Sequence, residues 1–430
     1  MQGQENNSFA PMTKSLNLRT SNGSSAGQYV SDTAQGEFIV NKKFISLISA
    51  LALMGTPAIA SAADPVKIGF VTTLTTGAGA IGKDMREAVD LAVEHLGGKM
   101  AGRDIEVIYE DDGFKPEIGK QKTDKLVKKD NVDFIAGYIW SHVLMASYKS
   151  AVDNDTFMIS SNAGPSPLAG KLCHEDLFST SWQNDQTTMA MGEVLNQRGI
   201  KKLYIMAPNY AAGKNMVSGV ERTFKGEIIG KDMTKFPDQL DFSAELAKVR
   251  AAEPDALFVF YPGKHGAQFI TQYAQAELNK TVPLYTTFTI DSISLPRVGE
   301  LAEGSLMTMF WSPDLDTPAN KKFVTDFKAK YGHYPSHYAA QSYDSIMLIN
   351  SAVEKVNGDL SDRDAVRSAL KAADFQSVRG ELKFGNNHIP IQNFYLREVV
   401  KDENGDYTTK IVSTVYENHQ DPYAQECSMK

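Results

Sequence analysis

The most constraining feature of this sequence is the stretch 66–82, which reads VKIGFVTTLTTGAGAIG. The short apolar run at its start, 66–71, is typical of a strand buried on both faces. A loop of Thr and Gly follows, and residues 83–96 then carry apolar side chains at helical spacing. Strand, small-residue loop and helix form half of a βαβ unit. Because such a loop exposes backbone N–H groups at the positive end of the helix dipole, it suits an anionic ligand.

Three glycines in this stretch, Gly77, Gly79 and Gly82, match the dinucleotide-binding fingerprint GxGxxG, and the next predicted strand ends in the acidic residues 110–112. In that fingerprint the first Gly stands in the tight turn at the strand end, so that the pyrophosphate reaches the helix N-terminus. Here residues 72–76 intervene and spoil that geometry. We therefore keep an NAD-binding oxidoreductase that uses the Gly77-Gly79-Gly82 loop as the alternative function.

Predicted strands and helices alternate along the chain after this unit. The alternation predicts an α/β fold whose parallel sheets are covered by helices on both faces. One doubly wound sheet seldom needs so many units, so we predict two doubly wound lobes with a cleft between them. The predicted strands are 103–110, 132–137, 157–160, 202–207, 256–261, 282–287, 380–384, 394–401 and 408–415. The predicted helices are 116–129, 141–153, 185–197, 212–224, 242–251, 265–278, 320–330 and 338–356.

The first 62 residues are predicted to lie outside the folded protein. Residues 1–39 are polar, show no apolar periodicity, and are predicted to be disordered or a non-native extension. Residues 40–62 show the three parts of a secretory signal peptide: two lysines, a short apolar run and the small-residue motif ASA at 60–62. An internal valine can correspond to a GTG start codon. We therefore expect the native product to begin near Val40 and the mature protein to be soluble and exported.

Composition narrows the functional classes. The 430 residues, enough for two domains, include 52 acidic and 44 basic residues, with a net charge of −8 at pH 7. This acidic surplus argues against nucleic acid or an anionic membrane surface as a partner. No GxSxG, HExxH, CxxC or Walker motif occurs, and the eight histidines fall at no metal-ligand spacing. We therefore expect no enzymatic activity, no cofactor and no metal.

The two cysteines of the chain, Cys173 and Cys427, are candidates for a disulfide. In an exported protein an even cysteine count favours pairing. The bond would tie the irregular stretch 161–183, which separates the predicted lobes, to the C-terminal tail. Spacing alone does not show that the two sulfur atoms meet, so two unpaired thiols remain the alternative.

Six sequence blocks stand in the order found in one family of receptors. They read VKIGFVTTLTTGAGAIG, DFIAGYIWSH, MISSNAGPSP, PDALFVFYPG, KAKYGHYPSHYAAQSYDSI and GELKFG. In this order, and behind a signal peptide, they resemble the type I periplasmic solute-binding proteins, and among these the branched-chain amino acid receptors of ABC transporters. The resemblance covers the chain from about Ala63 to its end.

The resemblance implies a fold and a function. The fold is two α/β lobes joined by a three-crossover hinge, with residues 63–180 plus 316–385 as the N-terminal lobe. Residues 181–315 plus 386–420 are then the C-terminal lobe, and 421–430 a C-terminal tail. The implied function is the substrate-binding component of an ABC importer in the periplasm. A monomer is expected to capture a small carboxylate, such as a hydrophobic amino acid or an aromatic acid, and to deliver it to the membrane permease.

The resemblance also implies how an anion is held. Ser141 matches the serine whose hydroxyl group, together with the start of its helix, takes the ligand carboxylate. Asn162, Ala163 and Gly164 match the loop whose backbone N–H groups share that anion. Two simpler interpretations stay open, because Ser is a preferred helix N-cap and these loop residues are common in ordinary turns.

The resemblance also implies that aromatic residues of the second lobe cover the ligand. Tyr210 and Tyr261 match the aromatic positions of the second lobe, and Trp182 lies where it can stack on the ligand. With Tyr138 and Trp140 in neighbouring loops, so many rings suit a flat, bulky ligand. The alternatives are half-buried packing for the tyrosines and a hinge seal for Trp182.

Two acidic residues are the candidates for an ammonium partner. Asp185 falls where the family places a carboxylate near the ligand ammonium group, although it also fits a helix cap. Asp291 lies in the segment that carries the second such carboxylate. Phe288 is the other candidate for the position of this second carboxylate. If Phe288 occupies it, the ammonium group of a ligand has no second carboxylate to pair with.

We predict that the exported protein begins near Ala63. Signal peptidases cleave after small-residue motifs such as the one at 60–62, and residues 1–39 should be absent from the native product. N-terminal sequencing of the exported protein checks both statements. A chain that starts well before position 58 contradicts them.

Overall fold

A computed structural model describes residues 64–429. The predicted extension (1–39) and signal peptide (40–62) lie outside the described residues, and so does the predicted start of the mature chain at Ala63. In the described part of the chain, no helix is both long enough and apolar enough to cross a lipid bilayer.

The strands alternate with helices through most of the described chain, as the apolar periodicity predicts. The strands are β1 (Val66–Thr72), β2 (Lys99–Met100), β3 (Arg103–Asp111), β4 (Phe134–Gly137), β5 (Phe157–Ser160), β6 (Leu177–Ser179), β7 (Lys202–Pro208), β8 (Glu227–Thr234), β9 (Ala256–Val259), β10 (Leu284–Thr286), β11 (Leu306–Met309), β12 (Lys383–Phe384), β13 (Pro390–Lys401) and β14 (Tyr407–His419).

The helices fill the intervals between the strands and form one long run before β12. They are α1 (Gly79–His95), α2 (Pro116–Lys128), α3 (Ser141–Val152), α4 (Ser166–Ala169), α5 (Asn184–Gln197), α6 (Ala211–Thr223), α7 (Ser243–Ala252), α8 (Lys264–Gln275), α9 (Leu295–Ala302), α10 (Pro318–Tyr331), α11 (His337–Lys355) and α12 (Arg363–Ala372).

The first sheet is built around β1 and has the strand order β2-β3-β1-β4-β5-β6. β1 pairs in parallel with β3, where Val66 faces Ile105, and with β4, where Ile68 faces Phe134. Because β1 is central, its apolar side chains are buried on both faces, with 0% exposure at Phe70. The loops after β1 and β4 leave the sheet at the point where the strand order reverses, which is where open α/β sheets bind ligands.

The second sheet joins parallel and antiparallel strands. Its order is β12-β13-β11-β10-β9-β7-β8, and β14 pairs with β13. β7, β8, β9, β10 and β11 are parallel, whereas β13 is antiparallel to β11 and forms a long hairpin with β14. The described chain therefore holds two doubly wound sheets, and this α/β architecture agrees with the sequence prediction.

The chain passes between the sheets more than once. It leaves the first sheet after β6 and enters α5, which packs on α6 beside the second sheet. After β11 it returns, because α11 packs along α1 of the first sheet. It crosses again before β12 and β13. The lobe boundaries at 180, 315 and 385 remain predictions of the sequence.

Seven described elements were not predicted from the sequence: β2, α4, β6, β8, α9, β11 and α12. β8 lies at the edge of the second sheet and is mostly half-buried, so no continuous apolar run marks it. α12 does carry an apolar stripe at helical spacing, with Val366, Ala369 and Leu370 buried, so its period is readable in the sequence. β11 and α9 are short, at Leu306–Met309 and Leu295–Ala302, although Gly304, with a φ of +76°, marks the turn between them. Of the seven, β2, α4 and β6 are only two to four residues long, and the other four lie at or after residue 227.

A disulfide joins Cys173 to Cys427 in the structure. The two residues are 254 positions apart in the chain. The bond links the loop after α4 to the C-terminal tail. Nearby, the amide group of Asn387 also holds the tail, by donating to the carboxylate of Asp421 over 2.7 Å.

We predict that Cys173→Ser lowers the free energy of unfolding by about 2–5 kcal/mol, because the unfolded chain regains the freedom of a very long loop. Urea denaturation of Cys173→Ser, Cys427→Ser and the double variant checks this. All three should lose the same amount, since each removes the same bond. Labelling that finds two free thiols in denatured, unreduced protein would show that the bond is absent.

Candidate functional site

The carboxyl ends of parallel strands from both sheets face one small cavity, here called the inner cavity. From the first sheet, the loops after β4, β5 and β6 reach it, and from the second sheet the loops after β7, β9 and β10. This is the place where ligands bind in folds of this type. Its polar side chains are those of Ser141, Asn162 and Asn184, and its aromatic side chains are those of Trp140, Trp182, Tyr210, Phe260, Phe288 and Tyr338.

Ser141 presents its hydroxyl group to the inner cavity from the start of α3. Its Oγ accepts a hydrogen bond from Nδ2 of Asn184 over 3.0 Å, which leaves the hydroxyl hydrogen for another acceptor. The N–H groups of Val143 and Leu144 already donate to the carbonyl oxygen of Trp140. Among the described residues, the donors left at the start of α3 are therefore the N–H groups of Ser141 and His142 and the serine hydroxyl group, and the helix dipole favours an anion there.

The loop after β5 contributes less to the anion site than the sequence predicts. The N–H group of Ala163 donates to the carbonyl oxygen of Tyr138 over 3.0 Å, and that of Gly164 donates to Oδ1 of Asn184 over 3.2 Å. Two of the three expected donors are thus already used inside the protein. Only the N–H group of Asn162 is left for the predicted role.

Asn162 and Gly164 are held by close local contacts. The side chain of Asn162 donates to the carbonyl oxygen of Ile139 and accepts from Nε2 of Gln341, each over 2.6 Å. At Gly164 a Cβ atom would lie 2.0 Å from the carbonyl oxygen of Trp182, so a larger residue would push these two segments apart. Gly164 therefore acts in packing, while Asn162 and Ala163 line the cavity.

Stacked aromatic rings form most of the cavity wall. Trp182 stacks on Phe288, with ring centroids 4.5 Å apart and planes at 21°. Tyr210 stacks on Phe236 at 4.9 Å, and burial raises the pKa of the Tyr210 phenol. Trp182 and Tyr210 both line the cavity, and so does Phe288. These rings offer apolar faces to a ligand rather than charge.

Asp185 does not line the inner cavity. Its carboxylate is fully buried and accepts hydrogen bonds from Nε of Arg222 and the hydroxyl group of Tyr423, each over 3.0 Å. The hydroxyl group of Ser218 lies 3.3 Å from the same oxygen. This carboxylate therefore joins α5, α6 and the C-terminal tail, and we correct its predicted contact with a ligand ammonium group to this structural role.

Asp291 is also engaged away from the inner cavity. Its Oδ1 accepts the backbone N–H groups of Ile293 and Ser294, over 3.0 and 2.9 Å, just before α9. Burial raises the pKa of its carboxyl group to about 6. It is absent from the cavity wall, where Phe288 stands instead.

Tyr261 belongs to the core of the second sheet and not to the cavity wall. Its hydroxyl group lies 3.0 Å from Oγ1 of Thr234, and its ring packs 4.8 Å from that of Phe242. Successive side chains in extended backbone point to opposite sides, so the neighbouring Phe260 faces the cavity. The aromatic position predicted at Tyr261 is thus supplied by Phe260.

Three of the polar and aromatic cavity residues were not named in the sequence analysis: Asn184, Phe260 and Tyr338. Asn184 directly precedes the predicted Asp185, and Phe260 directly precedes the predicted Tyr261. The sequence analysis therefore identified the correct segments but chose the neighbouring side chain in each. Tyr338 is the second residue of α11, and its phenol has a pKa well above the usual value because it is buried. Its only signal is its place in the block KAKYGHYPSHYAAQSYDSI, which the resemblance includes.

The inner cavity is tight. Its free space is about 20 Å³, enough for about one water molecule. An outer cavity of about 490 Å³ adjoins it and shares Trp140 and Pro262 with its wall. Another cavity, of about 560 Å³, lies against α9 and residues 405–407, away from the strand ends. A ligand as large as an amino acid therefore needs the walls of the inner cavity to separate before it can enter.

The glycines of the GxGxxG motif do not form a phosphate cradle. Gly77 lies against Lys264 of α8, since a Cβ atom there would be 2.2 Å from Cε of that lysine. Gly82 packs against the backbone just after β1, because a Cβ atom on Gly82 would lie 1.9 Å from the carbonyl oxygen of Thr73. Both glycines permit close packing, and the oxidoreductase alternative finds no support in this geometry.

Comparison with known families assigns the fold to a class of protein. A family model described as "Periplasmic binding protein" matches residues 65–405. The chain belongs to the periplasmic binding protein family, in the type I branch that contains the branched-chain amino acid receptors.

Individual relatives cover nearly the whole of the folded chain. "Leu/Ile/Val-binding protein homolog 6" of Brucella melitensis is 27% identical over 388 residues, which are 87% of this chain and 97% of that protein. A solute-binding protein of an ABC transporter from R. palustris, solved in complex with benzoate, is 31% identical. Its TM-score is 0.80, and the match covers 85% of this chain and 100% of that one.

A second solved structure has a related ligand. It is a solute-binding protein of an ABC transporter from Rhodopseudomonas palustris BisB5, in complex with 3,4-dihydroxybenzoic acid. It is 27% identical with a TM-score of 0.76, and the match covers 84% of this chain and 99% of that chain.

We predict that Tyr261→Phe lowers the free energy of unfolding by about 0.5–1.5 kcal/mol, because it removes the hydrogen bond to Thr234. Tyr210→Phe is the matched control, since among the described residues the Tyr210 hydroxyl group has no hydrogen-bond partner. Chemical denaturation of both variants checks the difference. Equal losses in the two variants would contradict the core position of Tyr261.

Proposed function

We propose that this protein captures a small aromatic carboxylate that lacks an ammonium group and delivers it to the membrane permease of an ABC transporter. The chain belongs to a family of solute-binding proteins, and its relatives are components of ABC transporters. We further propose that it acts in the periplasm after cleavage of its signal peptide, that it is a monomer, and that it catalyses no reaction. The ligand class follows from the inner cavity.

The observation that carries the proposal is the absence of acidic side chains from the wall of the inner cavity, as far as residues 64–429 are concerned. A buried ammonium group without a carboxylate or comparable acceptors loses several kcal/mol of solvation. The two candidate carboxylates lie outside this wall. Asp185 pairs with Arg222, and Oδ1 of Asp291 accepts N–H groups at the start of α9, while the buried Oδ2 of Asp291 has no hydrogen-bond partner among the described residues. The cavity therefore suits a ligand whose charge is confined to one anionic group.

The anion is proposed to bind at the polar end of the cavity. The Ser141 hydroxyl group, the first N–H groups of α3 and the N–H group of Asn162 converge there, and no basic side chain lines the cavity in the described part of the chain. Donors that are fixed before binding need no reorganisation, and the helix dipole adds about 0.3–2 kcal/mol. Asn184 orients the serine through the 3.0 Å hydrogen bond.

The aromatic walls are proposed to hold the ring of the ligand. Trp182 stacks on Phe288, and the ring centroids of Tyr210 and Phe260 lie 6.3 Å apart, so a flat ligand meets ring faces and edges. Benzoate and 3,4-dihydroxybenzoic acid are bound by two solved relatives, the first of which is 31% identical to this chain. These complexes support an aromatic acid, whereas the Leu/Ile/Val-binding homologues leave an aliphatic amino acid as the competing ligand.

Binding is proposed to require opening and closure of two lobes. We take the lobes to be residues 63–180 plus 316–385 and residues 181–315 plus 386–420. With about 20 Å³ free, the inner cavity admits a ligand only if its walls separate. Ser141 and Asn162 stand on one side and Tyr210 and Phe260 on the other, so binding and closure are coupled.

We predict that benzoate binds at least about 100-fold more tightly than L-leucine, which corresponds to ~2.7 kcal/mol. Isothermal titration calorimetry with ligand-free protein, prepared by unfolding and refolding, measures both. Mass spectrometry of ligand released from the purified protein identifies the natural compound independently. Leucine binding with equal or higher affinity would contradict the absence of an ammonium site.

We predict that Ser141→Ala weakens benzoate binding by about 10- to 150-fold, since a hydrogen bond to a charged group contributes roughly 1.5–3 kcal/mol. Lys214→Ala is the control, because this exposed lysine is on the neighbouring α6 and does not line the inner cavity. It should change the affinity far less, as should neutralisation of Lys83 or Lys264. If replacing one of these lysines weakens benzoate binding strongly while Ser141→Ala leaves the affinity unchanged, the proposed backbone-anchored site is wrong.

A further inference from the structure

Three side chains outside the inner cavity converge at the junction of α1 and the segment before α11. Asp84 and Glu87 stand three positions apart on α1 and therefore share one face of the helix. His333 follows the end of α10. One ligand-type atom from each of the three residues lies within 4.8 Å of the others.

Asp84 supplies an independent sign of a missing partner. Its side chain is 3% exposed. Its Oδ2 atom accepts the backbone N–H and the hydroxyl group of Ser336, the N-cap of α11. Its Oδ1 atom is buried and has no hydrogen-bond partner in the described structure, and it lies 3.9 Å from Nδ1 of His333. Leaving a buried carboxylate oxygen unpaired is costly.

His333 is oriented in the way that metal-binding histidines are. Its Nδ1 atom lies 3.0 Å from the carbonyl oxygen of Tyr334, which favours the tautomer with hydrogen on Nδ1. Its Nε2 atom then carries the free electron pair, and it lies 3.4 Å from Oε2 of Glu87. The other oxygen of Glu87 is 3.4 Å from the mostly exposed Lys83 ammonium group, which occupies only one side of this carboxylate.

We propose that Asp84, Glu87 and His333 form a binding site for a divalent transition-metal ion of the zinc class. Imidazole nitrogen with carboxylate oxygen is a donor set that Zn²⁺ accepts, whereas Ca²⁺ and Mg²⁺ prefer oxygen ligands alone. Three protein ligands leave the fourth tetrahedral position for water, since His333 and Glu87 are partly exposed. The ion would fill the unpaired position at Oδ1 of Asp84.

The site pins the start of α11 to α1. Asp84 already holds Ser336, and Tyr338 of the inner cavity stands two residues further on. The competing interpretation is a simple ion pair of a protonated His333 with the two carboxylates, which needs no metal. The two interpretations differ in whether Zn²⁺ itself binds.

The test is calorimetric titration of tag-free, chelator-treated protein with ZnCl₂, with Co²⁺ absorption as a spectroscopic probe of the ligand set. We expect one Zn²⁺ ion per chain. Loss of a residue that only orients a metal ligand weakens metal binding about 10- to 100-fold. Because His333→Gln and Glu87→Gln each remove a proposed ligand itself, each should weaken Zn²⁺ binding by at least that factor. Both keep Asp84, so the contact with Ser336 is preserved.

The matched control is Asp90→Asn, which removes a carboxylate from the same helix outside the cluster. Asp90 accepts a hydrogen bond from Tyr109, and an asparagine oxygen can still accept it. This variant should bind Zn²⁺ as the unchanged protein does. Zn²⁺ affinity that is the same in the unchanged protein and in His333→Gln, or no Zn²⁺ binding at all, would overturn the proposal and leave the ion pair. Benzoate binding plays no part in this test, so its outcome is independent of the proposed function.

Discussion

A buried ion pair between Arg379 and Asp344 holds together the three segments that connect the two sheets. The side chain of Asp344 is 0% exposed and that of Arg379 is 5% exposed. The guanidinium group donates to the carbonyl oxygens of Thr180, over 2.7 Å, and Ser181, over 3.2 Å, on the first crossing. The guanidinium group lies 5.4 Å from the ring centre of Phe310, at the start of the second crossing between the sheets. Arg379 itself belongs to the third crossing. Burying two charges is expensive, and a full set of hydrogen bonds is needed to offset it, so the crossings are fixed relative to one another.

The polar end of the inner cavity depends on one amide group that reaches across it. Nδ2 of Asn184 donates to Ser141 on α3 and to Asn215 on α6, while its Oδ1 accepts the N–H group of Gly164. The bonds to Ser141 and Gly164 form only when α5 lies against the loops of the first sheet, whereas the bond to Asn215 joins α5 to α6. Under the proposed closure of the two lobes, the serine hydroxyl group is oriented in the closed arrangement. Closure would then also prepare the proposed anion site, which a site built on a lysine or arginine would not require.

Apolar periodicity predicted most of the fold, because buried parallel strands and their helices are marked by it. The site was harder to predict. In the segment PDALFVFYPG both faces of the strand carry apolar side chains. The sequence therefore does not show that Phe260 faces the cavity while Tyr261 faces the core. Asp185 has the right type and place for a ligand contact, but its partners are distant in sequence, Arg222 by 37 positions and Tyr423 by 238. Such long-range pairing is set by packing, and no local pattern reports it.

The Cys173–Cys427 bond has a mechanical consequence. It closes a covalent ring that contains the whole second sheet, from β7 to β14, together with α10, α11 and α12. If the chain is pulled from its two ends, the load passes directly through the sulfur atoms, and the strands inside the ring carry none of it. The segment from β1 to α4 lies outside the ring and bears the tension alone. Stretching therefore unravels the Ser141 side of the cavity first and leaves the side of Tyr210 and Phe260 folded.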